Sequence, residues 1–132
     1  MTIVVDASVV VAAFVDSGPG GQWALEQLRR SRLAAPHLMP VEVASVLRRG
    51  ESAGDLSSDA AALAHADVVD LPVKLFPYEP FAQRIWQLRK TVTSYDAWYV
   101  ALAEELDATL LTLDARLPGA PGPRCRIETP PS

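Results

Sequence analysis

Four carboxylates in this chain stand where a structural role is only one of two readings. Asp6 follows the β-branched run from Thr2 to Val5 and precedes the apolar stretch Ala7 to Val15. It can cap a helix that begins at Ala7, or it can stand at the carboxyl end of a parallel strand, the edge where α/β sheets collect ligands. Asp114 ends the run Thr109 to Leu113 in the same manner, and Thr112 points to the same side of that strand. Two such acids would share one rim of the sheet. Asp96 falls on the helical stripe of Tyr99, Val100 and Ala103, where a core-facing carboxylate needs a partner. Its alternative is a first-turn acid that complements the helix dipole behind a Ser94 cap. Glu42 lies among Leu38, Met39, Val41, Val43 and Val46, just after Pro40. It can be an acid favoured by the dipole, a snorkelling surface residue, or a fourth member of the set.

Gathered within a few ångströms, such acids would repel by about 4 kcal/mol per close pair even at an effective dielectric of 20. A divalent cation removes that penalty, and all-oxygen donors select a hard ion, Mg²⁺ or Mn²⁺. His37, His65 and Cys125 have no zinc-ligand spacing. A hard ion at such an edge polarises a phosphoryl oxygen and makes hydroxide from water, which points to phosphodiester hydrolysis. Ser8, two residues past Asp6, can hydrogen-bond a metal-bound water or a ligand carboxylate. A nucleophilic Ser8 is disfavoured, because neither histidine has a motif partner that would mark a Ser-His-Asp arrangement. The competing enzyme class is a phosphatase or phosphotransferase with Asp6 as nucleophile. Against it, Asp6-Ala7-Ser8 lacks the second Asp that the dehalogenase-type pattern carries at the Ser8 position. A third class is a module that binds RNA or a protein partner without cutting.

The elements that must position these acids alternate along the chain. Strands are expected at Thr2 to Val5, Leu33 to Pro36, Val73 to Phe76 and Thr109 to Leu113, and Ile127 closes the sheet after a Pro/Gly loop. Helices are expected over Ala7 to Val15 and Gln22 to Arg32, and from Pro40 to about Arg49, stopped by Gly50 and Gly54. Further helices should run from Ser58 to Val69 behind a Ser57 cap, from Glu79 to Lys90 with Phe81, Ile85 and Leu88 on one stripe, and from Tyr95 to Leu106. This alternation predicts a single α/β domain, residues 1–132, with a mainly parallel central sheet of four to five strands and helices on both faces. The Pro-rich end, residues 129–132, is expected to fray.

The chain has 132 residues, 49% of them hydrophobic, and one cysteine, so one core without disulfides is expected, in a reducing cytoplasmic setting. The run from Ile3 to Val15 is interrupted by Asp6 and preceded by no Lys or Arg, which argues against a signal peptide. No uninterrupted apolar stretch reaches the length of an ordinary membrane-spanning helix. Net charge is −4, from 12 Lys and Arg against 16 Asp and Glu. Setting the four acids aside leaves charge balanced, so the total does not exclude a nucleic-acid partner. Arg29, Arg30, Arg32, Arg48 and Arg49 form runs at the ends of two helices, where they can satisfy the dipole or hold backbone phosphate. Trp86, Trp98 and Tyr99 lie in apolar helical segments and read as core or dimer-contact residues rather than base-stacking platforms.

The segments IVVDASVVV around Asp6, PVEVASVL around Glu42, TSYDAWYVALAEEL around Asp96 and LLTLDARL around Asp114 resemble the PIN-domain ribonucleases, in particular the VapC-type toxins of bacterial toxin-antitoxin pairs. The likeness runs from Ile3 to about Ile127, and the order and spacing of the motifs carry it: 36 residues from Asp6 to Glu42, 54 on to Asp96 and 18 on to Asp114. The resemblance implies a three-layer α/β/α fold and a Mg²⁺-dependent (or Mn²⁺-dependent) endoribonuclease. It implies that Asp6, Glu42, Asp96 and Asp114 are the catalytic, metal-site acids and that Ser8 and Thr112 orient water or acid side chains. It further implies a homodimer and a cognate VapB-like antitoxin that blocks the site. Many such proteins carry another acid two residues after the last motif Asp and an aromatic beyond it. Here those positions are Arg116 and Leu117, which leaves the number of metal ions open. Arg116, with Arg48 and Arg49, is instead a candidate contact to RNA phosphate.

Overall fold

The computed structural model describes residues 1–131; Ser132, at the end of the expected frayed tail, lies outside the described residues. Five strands, β1 (Thr2–Val5), β2 (Arg32–Pro36), β3 (Val73–Phe76), β4 (Thr109–Leu111) and β5 (Ile127–Glu128), form one sheet in the order β3-β2-β1-β4-β5. Every pairing is parallel. Ile3, Val4 and Val5 are all buried although successive side chains point to opposite faces, so both faces of β1 are covered. Helices α1 (Ala7–Val15), α2 (Pro19–Arg30), α3 (Met39–Ser52) and α4 (Ser58–Val69) pack with one another, while α5 (Ala82–Gln87) packs with α6 (Ser94–Leu106), which lies on β1, β2 and β4. Right-handed crossovers place the first four helices on one face and the last two on the other.

The chain leaves β1 toward β2 on one side and returns from β3 to β4 on the other. A parallel sheet that reverses its strand order in this way opens a crevice at the carboxyl ends of the two central strands. Asp6 follows β1 and Thr112 follows β4, so both lie at that switch point.

Several elements depart from the sequence expectation for identifiable reasons. The helix α3 runs through Gly50 to Ser52, so Gly50 is not a stop; it sits inside the helix against Leu56, whose Cδ1 would lie 3.1 Å from an added side chain. The segment Glu79 to Lys90 is not one helix. A 3-10 turn, Glu79–Phe81, closed by the Phe81 N–H on the Tyr78 carbonyl, leads into the short α5, although Phe81, Ile85 and Leu88 are buried as expected. The cap of α6 is Thr93, whose hydroxyl accepts the Asp96 N–H at 3.2 Å, and Ser94 is already helical. Trp86 is 64% exposed and takes Arg89 on its ring at 4.4 Å, so it is not a core residue. Trp98 and Tyr99 are buried.

Candidate active site

Asp6 is both the things its sequence position allowed. Its extended backbone caps α1, and its Oδ1 accepts the Val9 N–H at 3.1 Å. The same Oδ1 accepts the Ser8 hydroxyl at 2.5 Å, while Oδ2 accepts the Thr112 hydroxyl at 2.5 Å. Each hydroxyl is itself held by a backbone donor: the Leu113 N–H on Ser8 Oγ and the Asp114 N–H on Thr112 Oγ1, both at 3.1 Å. Two short donor chains therefore converge on one carboxylate, and each link polarises the next. They also explain why β4 ends at Leu111, two residues before the expected limit. The N–H groups of Leu113 and Asp114 are satisfied by side chains of the site instead of the strand ladder.

Glu42 stands in the first turn of α3 and accepts the Tyr99 hydroxyl on Oε1 at 2.7 Å. This bond joins helices from opposite faces of the sheet, between residues 57 apart in the chain. Asp96 and Tyr99, three residues apart on α6, thus serve the same site, one as an acid and one as a donor that fixes another acid. Tyr99 read as a core residue from sequence; the only signal for its second role was its place on the Asp96 stripe. Asp114 accepts the N–H and Nε of its neighbour Arg116 at 3.0 and 3.2 Å.

One cavity of about 860 Å³ is lined by Asp6, Ser8, Glu42, Asp96 and Asp114. All four acids that sequence reasoning singled out therefore face a common space. Arg49 also lines it, but Arg48 and Arg116 do not, so of the three candidate phosphate contacts only Arg49 lies in the cavity wall. Arg116 is instead spread in solvent, its side chain 93% exposed, and paired to Asp114.

Burial, above all, raises the Asp6, Glu42 and Asp96 carboxyls above their ordinary range. Hydrogen bonds from Ser8 and Thr112 oppose this at Asp6, and the Tyr99 hydroxyl opposes it at Glu42. The charge of Asp6 adds to the rise at both Glu42 and Asp96, that of Asp96 adds at Glu42, and that of Asp114 adds at Asp96. The four acids are thus one electrostatic system. Asp114 is lowered by its bonds from Arg116.

A hard divalent ion fits this donor set in kind: the donors are oxygens only, and the acids raise one another's proton affinity, a cost that a cation offsets. Their spacing is wider than the few ångströms expected from sequence. Among the described residues no three Asp, Glu, His or Cys side chains are gathered as an ion would require. Three of the acids instead have their own partners: Ser8 and Thr112 on Asp6, Tyr99 on Glu42 and Arg116 on Asp114.

The PIN domain family matches residues 3–122. Ribonuclease VapC1 of Mycobacterium tuberculosis is 41% identical over 126 residues, 95% of each chain. VapC ribonuclease Mb0985 of Mycobacterium bovis is 37% identical over 129 residues, 98% of each. Among solved structures, VapBC2 from Rickettsia felis bound to a DNA fragment from its promoter superposes with a TM-score of 0.65 over 98% of both chains, at 12% identity, a likeness of fold. With the matched family spanning the switch-point crevice and the four segments that carry the acids, this chain belongs to the PIN-domain family, in its VapC branch.

Proposed function

We propose that this chain is an endoribonuclease toxin that hydrolyses RNA phosphodiester bonds in the acid cavity and is neutralised by a cognate VapB-like antitoxin. The observation that carries the reading is the convergence of Asp6, Glu42, Asp96 and Asp114 on one cavity in a chain 41% identical to a ribonuclease. Mg²⁺ or Mn²⁺ would need these acids drawn closer together than they stand here; held by them, it would supply Lewis acidity toward the phosphoryl oxygen and an activated water.

The residues of the chain prepare that site. Ser8 and Thr112 fix the plane of the Asp6 carboxylate by donating to both oxygens. Tyr99 occupies Oε1 of Glu42 and leaves Oε2 for a cation or water. Burial and the neighbouring Glu42 carboxylate raise the Tyr99 hydroxyl far above its ordinary range, so it keeps its proton and acts only as a donor there. Arg116 neutralises part of the charge at Asp114. An antitoxin segment carrying Arg would find the same acids as partners.

Single-stranded loops are the expected substrate, because they can present a scissile phosphate that a duplex exposes only at the cost of opening. The test is cleavage of one RNA hairpin and its DNA counterpart with Mg²⁺, Mn²⁺, Ca²⁺ and EDTA. Cutting of the RNA loop with Mg²⁺ or Mn²⁺, and not in EDTA, is expected. Equal cutting of duplex DNA, or full activity in EDTA, would overturn the reading. In cells, toxicity should require Asp6 and be relieved by co-expression of an adjacent small antitoxin gene.

A further inference from the structure

The rim of the acid cavity carries an aromatic side chain that the fold does not use. Tyr95 is 60% exposed and lines the cavity next to Asp96, whereas Trp98 and Tyr99 on the same helix are buried. Among the described residues no aromatic ring or cation stacks on it. Val41 and Leu113, both exposed, line the same cavity, so three large apolar groups left in water share one rim.

Charge indicates what such a rim can take. The lining holds five carboxylates, Asp6, Asp16, Glu42, Asp96 and Asp114, against one guanidinium, Arg49. A polynucleotide therefore gains little from its phosphates at this mouth. What remains is the neutral face of a base, which stacks on an aromatic ring whatever the sequence. Tyrosine suits the task because its rigid ring offers a large contact area at low entropy cost.

We infer that Tyr95 is the platform on which a nucleobase next to the scissile phosphate stacks, with Val41 and Leu113 flanking it. This rests on the ribonuclease reading of the cavity. The ligand is a nucleotide of single-stranded or looped RNA whose base is free to leave its neighbours.

The test uses a short single-stranded RNA containing the cut site, with an abasic nucleotide placed in turn at each position flanking the cut. Wild type, Tyr95→Phe and Tyr95→Ala are compared for kcat/KM. Binding of the intact RNA is measured in an Asp6→Asn background, with and without Tyr95→Ala. Tyr95→Ala should lower both kcat/KM and affinity roughly ten- to hundredfold, the range of one base-aromatic stack. Tyr95→Phe should match wild type. At one flanking position the abasic RNA should lose as much as Tyr95→Ala does, and the two losses should not add, because ring and base are each other's partner. An unchanged melting temperature in Tyr95→Ala would exclude misfolding as the cause. Wild-type cleavage and binding by Tyr95→Ala, or equal losses on intact and abasic RNA, would overturn the inference. So would a Tyr95→Ala variant that cuts normally but escapes a co-expressed antitoxin, which would make the rim a protein contact. A wild-type chain that cuts no RNA would remove the ribonuclease reading itself and this inference with it.

Discussion

At Asp6 one carboxylate both caps α1, through the Val9 N–H, and gathers the hydroxyls of Ser8 and Thr112 at the sheet edge. That dual role was legible from its place after a β-branched run. The role of Tyr99 was not, because its partner Glu42 is 57 residues away and only the fold brings them together. Removing the hydroxyl in Tyr99→Phe leaves Glu42 without its donor, so the Mn²⁺ concentration needed for half-maximal activity should rise roughly 10- to 100-fold. Titration calorimetry with Mn²⁺ checks the same change in affinity without turnover; an unchanged affinity would restrict Tyr99 to packing. Asp96 gives a stability prediction of definite sign. Burial, then the charges of Asp6 and Asp114, raise its folded pKa above the ordinary 3.8. The folded state thus binds its proton more tightly, and the associated stability is present below pH 3.8 and lost as pH rises through the folded value. At neutral pH the ionised group is a cost. Asp96→Asn should therefore raise the melting temperature of the ion-free chain at pH 7, and the gain should shrink as pH falls toward 4. Melting curves at pH 4 and 7 decide this.

The elements divide into those whose signals are local and those that depend on distant partners. Strands β1 and β3 and helices α1 and α4 follow from β-branched runs, Asp6 and Ser57 caps and glycine or proline punctuation, and the sequence expectation matches their bounds. The split of residues 79–90 into a 3-10 turn and α5 was not legible, because it depends on how Phe81 and Leu88 seat in the core. The far end of α6 is fixed by another long-range contact. Arg84 of α5 donates to both oxygens of Glu104 at 2.7 and 3.0 Å and to the Gly122 carbonyl at 2.9 Å, while the Arg124 N–H also reaches Glu104 at 2.7 Å. This clamp ties the loop before β5 to α6. Burial pushes the Glu104 carboxyl up, but the bonds and charges of Arg84 and the Arg124 segment outweigh it, and the net direction is downward from 4.5. Its stabilisation is accordingly present above pH 4.5 and lost as pH falls through the folded value. Glu104→Gln should cost about 1.5–3 kcal/mol at pH 7 and converge with wild type in acid, as read by urea unfolding at both pH values. In the first turn of α2, a side chain at Gly21 would stand 1.8 Å from the Asp16 carbonyl oxygen. Gly21→Ala should destabilise by about 3 kcal/mol or more, and a loss below about 0.5 kcal/mol in the same assay would contradict that contact.

For the whole molecule, the parallel five-stranded sheet sets the function by bringing acids from four separate segments to one crevice. No helix among the described residues is long and apolar enough to cross a membrane. The sequence located that crevice through two acids following two strands, but it could not give the hydrogen bonds that orient the acids, since those form only when α3, α6 and the residues after β4 meet. A net charge of −4 with few cations near the cavity implies weak dependence of RNA binding on salt. With Arg49 as the one cation in the cavity wall, log affinity of the Asp6→Asn variant for single-stranded RNA should fall against log salt with a slope of about −0.7 from that contact, and a slope beyond about −2 would require phosphate contacts outside the cavity, at Arg48 and Arg116. The resemblance also implies a homodimer, which light scattering at micromolar concentration should show; a strictly monomeric chain would contradict it. The central claim is that the four acids act as one hydrolytic site, and the most direct test is cleavage of one RNA hairpin by wild type, Asp6→Asn, Glu42→Gln, Asp96→Asn and Asp114→Asn under a Mg²⁺ or Mn²⁺ series, with melting temperature as the folding control. Each folded variant should lose most of its cleavage at every metal concentration; an Asp96→Asn variant that cuts at the wild-type rate with an unchanged metal requirement would contradict the account.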